Sequence, residues 1–179
     1  MDKKYLVLFP IPEPHRRWLM DLMDEISRLT GMAPPYEKIV PHVTLHKPLT
    51  GIDERVAIDL TRSAALQVRQ TRVNVAGFSA FGHHYIVLPV HATRAVAHLW
   101  VSLGELFSKL PEYVHGPYDL DNTLHITVAE KVGGVFEGAW PLVRAIPYEP
   151  VEIPVSTIEL YSKPLERGRW EMVESYPLR

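Results

Sequence analysis

Two short segments of the chain repeat one pattern of side chains, and this repeat constrains the fold more than any other feature of the sequence. Residues 41–47 read PHVTLHK, and residues 124–131 read LHITVAEK. Each segment alternates polar and apolar residues, with a His and a Thr two positions apart. Because successive side chains of a β-strand point to opposite faces, both segments are predicted to be strands that bury one face.

The alternation also predicts which side chains each strand buries. The apolar members are expected to face a core: Val43 and Leu45 in the first segment, Ile126 and Val128 in the second. The polar members are expected to share the opposite face: His42, Thr44 and His46 in the first segment, His125 and Thr127 in the second. Each strand would then present an imidazole beside a hydroxyl, a combination that can bind an oxyanion.

The elements around the two segments also follow one another in the same order. Helices are predicted over residues 13–29, 53–68, 93–110 and 133–146, and further strands over residues 5–9, 72–76, 85–89, 151–161 and 170–176. In each half a strand, a helix and a proline-marked loop precede the His-x-Thr strand. Such repetition predicts two similar lobes related by a pseudo-two-fold axis, which would bring the two His-x-Thr pairs together across a central groove.

Composition restricts the class of protein. With 179 residues, 46% of them hydrophobic, the chain is expected to form one soluble domain, or two small lobes that share a core. The net charge of -2 predicts no field that attracts long nucleic acid. The absence of Cys excludes disulfides, thiolate nucleophiles and Cys-ligated zinc. The apolar runs suggest neither a membrane span nor a signal peptide, so a cytoplasmic location is expected.

The two segments and the repeat together resemble the two-histidine (2H) phosphoesterases, which include bacterial 2′-5′ RNA ligase-like proteins and cyclic nucleotide phosphodiesterases. The signature of that family is a pair of His-x-Thr/Ser-x motifs, each ending in an apolar residue, and residues 42–45 and 125–128 match it. The resemblance implies a bilobal α+β fold, each lobe an antiparallel sheet with helices outside, and no metal or other cofactor. One family domain would span residues 1–179, with repeat halves at about 1–84 and 85–179.

The residue types in the two motifs suit phosphodiester chemistry. One group must remove a proton from the attacking oxygen, and another must deliver a proton to the leaving oxygen. Histidine can do either near neutral pH, so His42 and His125 are predicted to divide the two roles, with no assignment of which is the base. Thr44 and Thr127 would donate hydrogen bonds to the non-bridging phosphoryl oxygens.

Together with the resemblance, this chemistry predicts a metal-independent phosphoesterase. It would hydrolyse, or reversibly form, 2′,3′-cyclic phosphate or 2′-5′ phosphodiester bonds. Its partner would be a nucleotide or an RNA terminus, with neither a membrane nor an obligate protein partner.

Four further residues are candidates for substrate binding. Lys47 and Lys131, at the ends of the two motif strands, could hold phosphate charge. His46 shares the predicted face of His42 and is expected to be accessory or to set specificity. Tyr36, in the loop before the first motif, could stack on a base or pack beneath the loop. Positive charge also collects in the last predicted turn, at Lys163, Arg167 and Arg169.

Two other functions stay open from the sequence. A zinc hydrolase would use imidazole ligands, the most common zinc ligands, supplied by His42, His46, His83 and His84. A non-catalytic module would use the two His-x-Thr pairs only to bind the phosphate of a nucleotide or an RNA end. One experiment distinguishes the three functions. Only the metal-independent phosphoesterase would keep its turnover in chelator and lose it when either motif histidine is replaced.

Overall fold

A computed structural model describes residues 3–110, 123–166 and 168–179. Within these ranges the chain forms nine strands: β1 Lys3–Pro10, β2 His42–Thr50, β3 Thr71–Val75, β4 Ser79–Phe81, β5 Tyr85–His91, β6 His125–Glu130, β7 Val151–Val155, β8 Thr157–Pro164 and β9 Glu171–Pro177. It also forms four α-helices: α1 His15–Thr30, α2 Glu54–Ala65, α3 Arg94–Phe107 and α4 Phe136–Arg144. The predicted helices and both predicted motif strands are therefore present.

The strands form two antiparallel sheets, so the fold is α+β as expected. The first sheet has the order β2-β1-β8-β9. In the second sheet, β5 pairs with three strands, namely β6, β4 and β3. Strand β7 pairs with β3. Each sheet combines strands from both sequence halves, because β8 and β9 join the first sheet while β3 and β4 join the second. The division into halves at about 1–84 and 85–179 stays a prediction.

The single long strand predicted over residues 151–161 is wrong. The chain breaks at Ser156 into β7, which pairs with β3, and β8, which pairs with β1 in the other sheet. The carbonyl of Ser156 accepts the backbone N–H of Leu178 at 2.8 Å. The alternation of polar and apolar residues slips by one position at the break, because Ser156 and Thr157 are both polar. That slip was the signal in the sequence that one strand does not continue through residues 151–161.

Several helix ends lie where the sequence indicates them. Asp53 is the N-cap of α2, and its carboxylate accepts the Arg55 backbone N–H at 2.8 Å. Thr93 caps α3 in the same way. Helix α1 ends at Gly31, whose φ of 70° is left-handed and whose N–H bonds to the Ser27 carbonyl.

The first sheet has two faces with different surroundings. Alternate residues of β1, including Val7 and Phe9, are buried in the main core, which the helices cover. Leu6 and Leu8 point the other way and form a small second cluster with Tyr161. We call the face that carries these three residues the outer face of the first sheet. Of the helices in the described ranges, none is both long enough and apolar enough to cross a bilayer.

Candidate active site

The two motif strands carry a β-bulge at equivalent positions. In β2, Thr44 lies opposite Leu8 but His46 lies opposite Val7, so Leu45 is an additional residue in the strand. In β6, the same one-residue insertion falls at Val128, between Thr127 and Ala129. A bulge of this kind directs two consecutive side chains to the same face of the sheet. The internal repeat therefore extends to an irregularity of the backbone.

Because of the bulge, His46 does not lie where the sequence predicted it. Leu45 and His46 both point to the core side of the first sheet, as do Val128 and Ala129 in the second. His46 is only 6% exposed, and its ring lies 4.9 Å from the ring of Phe107 in α3. The prediction that it shares a face with His42 was wrong, because strict alternation ends at the inserted residue.

The other side chains of the two motifs lie as predicted. Val43, Leu45, Ile126 and Val128 are buried, whereas the two His-x-Thr pairs are half-buried on the opposite faces. His42 lies opposite Pro10, and Thr44 lies opposite Leu8, on the outer face of the first sheet. His125 lies opposite Pro89, and Thr127 lies opposite Val87, so both pairs occupy the same position relative to their neighbouring strands.

Each motif histidine is held by the same backbone hydrogen bond. His42 Nδ1 lies 2.7 Å from the Val40 carbonyl oxygen, and His125 Nδ1 lies 2.8 Å from the Thr123 carbonyl oxygen. Because a carbonyl only accepts, Nδ1 must donate its hydrogen in both rings. In the neutral imidazole Nε2 is then the nitrogen that can take up a proton.

The two histidines also influence each other electrostatically. Strands β2 and β6, which belong to different sheets, are in contact. Burial lowers the pKa of His42 and of His125, and the charge of His125 lowers the pKa of His42 further. Protonation of one ring therefore disfavours protonation of the other. The arrangement favours a pair that holds a single proton over part of the pH range.

Phe81 is a neighbour of the site that the sequence did not indicate. Its ring lies 4.8 Å from the His125 ring in an edge-to-face arrangement. Phe81 is 40% exposed, and it lies opposite Tyr85, which is 43% exposed. The sequence analysis placed strands over residues 72–76 and 85–89 and none between them, so β4 was missed. The available signal was a pair of aromatic residues flanking the turn next to a His-His dipeptide.

The remaining candidates lie around the motif strands. Lys131 directly follows β6 and is exposed, with a left-handed φ of 60°. The hydroxyl of Tyr36 donates to Asp24 of α1, a bond that raises the pKa of Tyr36, and the ring packs against the main core. Lys47 belongs to β2, but its side chain lies outside the described part of the structure. Roles for these residues in substrate binding stay predictions.

The four imidazoles of the zinc alternative are not brought together. His46 lies on the core side of its sheet, away from the face of His42. His83 stacks on Phe136 at 4.9 Å, and its Nε2 lies 3.2 Å from a carboxylate oxygen of Glu137. Within residues 3–110, 123–166 and 168–179 no three His, Asp or Glu side chains are grouped as a metal site requires.

Two antiparallel sheets whose adjacent strands carry equivalent His-x-Thr pairs form the architecture of the two-histidine phosphoesterases. The sequence profile of the 2′-5′ RNA ligase superfamily matches residues 12–165, and the chain belongs to that superfamily. The resemblance stated from the motifs is confirmed. Membership supports a role as a phosphoesterase or in the processing of RNA ends.

Solved structures share the fold over nearly the whole length. TT0787 of Thermus thermophilus is 20% identical over 98% of each chain, with a TM-score of 0.67. E. coli LigT in complex with 3′-AMP is 14% identical over 99% of each chain, with a TM-score of 0.70. Usb1 of Kluyveromyces marxianus is 15% identical over 98% of each chain, with a TM-score of 0.52. No curated protein matches the sequence. At these identities the likeness establishes the fold.

Proposed function

We propose that the protein is a metal-independent phosphoesterase that hydrolyses, or reversibly forms, 2′,3′-cyclic phosphate or 2′-5′ phosphodiester bonds of nucleotides or RNA ends. The observation that carries the proposal is the equivalent placement of His42 and His125. Each ring has Nδ1 bound to a backbone carbonyl and Nε2 left as the proton-binding atom. The chemistry needs two such groups.

In hydrolysis of a cyclic phosphate, the neutral imidazole takes a proton from water on Nε2 as the water oxygen bonds to phosphorus. The protonated imidazole gives its Nε2 proton to the ribose oxygen as the old P–O bond breaks. Thr44 and Thr127 donate to the non-bridging oxygens, where negative charge grows in the transition state. Ligation would follow the same path, with the hydroxyl of a second RNA end in the place of water as the group that bonds to phosphorus and gives its proton to the base.

The surroundings of the two rings suggest which is the base. His42 is the more buried of the two, and its pKa is lowered both by burial and by the charge of His125. The hydrogen bond of His125 to Thr123 is exposed, so His125 keeps its proton more easily. We assign His42 as the base and His125 as the acid in hydrolysis.

The solved relatives support a nucleotide substrate. E. coli LigT has been crystallised with 3′-AMP and with phosphate. By analogy of fold, the reacting phosphate of this chain's substrate would lie between the two His-x-Thr pairs. The test is turnover of 2′,3′-cyclic nucleotides in the presence of chelator by the native chain and its histidine variants.

The pH dependence of kcat/KM is expected to be bell-shaped, with its maximum below about pH 6.5. Below both pKa values the base is protonated, and above both the acid has lost its proton, so the active form holds one proton. Because both pKa values are lowered from the ordinary value of a histidine, this window lies on the acid side. The measurement is kcat/KM for a 2′,3′-cyclic mononucleotide from about pH 4 to about pH 8.

Stability must be followed over the same range. The unfolded chain binds more protons than the folded one as pH falls below about 6.5. The histidine contribution to stability is thus complete above that pH and is lost on acidification. Circular dichroism at each pH separates unfolding from titration, and a maximum at or above about pH 7 in folded protein would contradict the lowered pKa values.

A further inference from the structure

Two lysines lie directly opposite each other in the first sheet. Lys4 of β1 pairs with Lys163 of β8, and in the part of the chain that the structure describes neither ammonium group has a carboxylate at ion-pair distance. Like charges at directly opposite strand positions destabilise a sheet. Packing alone gives no reason for this pair.

An aromatic ring completes the arrangement. Lys163 Nζ lies 4.9 Å from the centre of the Trp170 ring, a cation–π distance. Trp170 in turn packs against the cluster of Leu6, Leu8 and Tyr161 on the outer face. Burial lowers the pKa of Lys163, and the charges of Lys4 and Lys38 lower it further. Lys38 is itself paired with Glu130, so the positive charge that lacks a carboxylate belongs to Lys4 and Lys163, and an anion bound there would relieve their repulsion.

The position of this cluster relative to the motif pairs identifies the kind of anion. Lys4 lies on the same face of β1 as Leu8, which is opposite Thr44. Leu8 is four positions after Lys4 in the strand, a distance of about 13 Å at the usual rise per residue. A phosphate that reacts between the two histidines cannot also contact these lysines. The anion at Lys4 and Lys163 would be a second phosphate.

We infer that Lys4, Lys163 and Trp170 bind an internal phosphodiester of a single-stranded RNA whose terminal phosphate lies between the two His-x-Thr pairs. Trp170 is partly exposed, and cationic side chains beside an accessible aromatic ring are the usual composition of single-strand binding grooves, since the ring can also stack a base. The inference rests on the proposed function and names its substrate class, an oligoribonucleotide end rather than a mononucleotide.

The test is equilibrium binding of a pentaribonucleotide with a 3′-phosphate, compared with the matching nucleoside 3′-monophosphate. Native protein is expected to bind the pentamer about tenfold or more tightly. The double variant K4Q/K163Q is expected to lose about tenfold in affinity for the pentamer, and the slope of log affinity against log salt is expected to fall by about 0.7 to 1.4. Lys109→Gln, which removes an exposed lysine after α3, is the matched control and leaves both quantities unchanged.

The melting temperature separates a binding role from a structural one. Because K4Q/K163Q removes a repulsive pair, its melting temperature is expected to equal or exceed that of the native chain. A clear fall in melting temperature, accompanied by equal losses for pentamer and mononucleotide, would overturn the inference. Equal affinity of the native chain for the two ligands would also overturn it.

Two further arms identify the ligand and separate this inference from the function on which it rests. The first arm compares binding of a nucleoside 5′-triphosphate to the native chain and to K4Q/K163Q. If the double variant loses as much affinity for the triphosphate as for the pentamer, the site binds polyphosphate and the RNA assignment is overturned. Turnover of a cyclic mononucleotide without any length preference in binding would refute this site alone. Length preference without turnover would support the site and refute the proposed hydrolysis.

Discussion

Replacing either His42 or His125 by alanine is expected to lower turnover of a 2′,3′-cyclic nucleotide by about 10²- to 10⁴-fold, the usual contribution of a positioned acid or base. The native chain is expected to keep its full rate in chelator. Each variant removes one of the two Nε2 atoms, and the remaining ring cannot both accept and deliver the proton within one displacement. The measurement is kcat and KM for each variant, with saturating substrate where it can be reached.

The double variant is informative because the two residues act as a unit. If the histidines share one proton, the loss in H42A/H125A is expected to be close to the loss in either single variant rather than the product of both. His98→Ala, which removes an exposed imidazole from α3, is the control and is expected to retain native turnover.

Three results would contradict the proposed function and favour another one. Turnover that survives the loss of both histidines would exclude the paired acid–base mechanism. If turnover is lost in chelator and added zinc restores it, the protein is a zinc hydrolase instead. Tight binding of a nucleotide without turnover under any condition would assign the two His-x-Thr pairs to phosphate binding alone, the non-catalytic alternative that the sequence left open.

Replacing Thr44 or Thr127 by valine is expected to lower kcat by about 10²-fold with a much smaller change in KM. Each hydroxyl is proposed to donate to a phosphoryl oxygen whose charge grows only in the transition state. Valine keeps the volume and the β-branch of threonine, so the strand is preserved while the donor is removed. The measurement is steady-state kinetics on the same cyclic nucleotide.

A matched variant on another strand controls for the loss of any strand hydroxyl. Thr71 of β3 lies away from the motif strands, and its hydroxyl bonds to that of Thr93 at 2.9 Å. Thr71→Val is expected to leave kcat unchanged. A tenfold or greater rise in KM with constant kcat in T44V or T127V would show that the hydroxyls bind substrate and transition state equally, against the proposed role.

The local pattern of the sequence predicted much of the candidate site. Alternation over two short segments indicated that Val43 and Ile126 are buried and that His42 and His125 lie on the other face, and both are so placed. The repeat of the motif led to the family, and the sequence profile of that family matches most of the chain. The catalytic roles of the four motif residues stay predictions.

Three features of the fold differ from the predictions. The bulge at Leu45 turned His46 into the core. The crossover at Ser156 sent one apparent strand to two sheets. The hairpin that carries Phe81 placed its ring against His125, more than forty positions away in sequence. The bulge at Leu45 leaves the alternation of its segment unchanged, whereas the crossover coincides with a one-residue slip of the alternation at Ser156 and Thr157.

The sequence by itself determined the motif strands and their apolar faces, the approximate ends of helices α1 and α2, and the recurrence of the His-x-Thr motif. These follow from periods of two and 3.6 residues and from capping groups, which act over a few neighbouring positions. The tertiary structure alone decided which strands pair, where each register shifts, and that Lys4 faces Lys163. Pairing and register depend on contacts between residues far apart in the chain, and a local period carries no information about the partner.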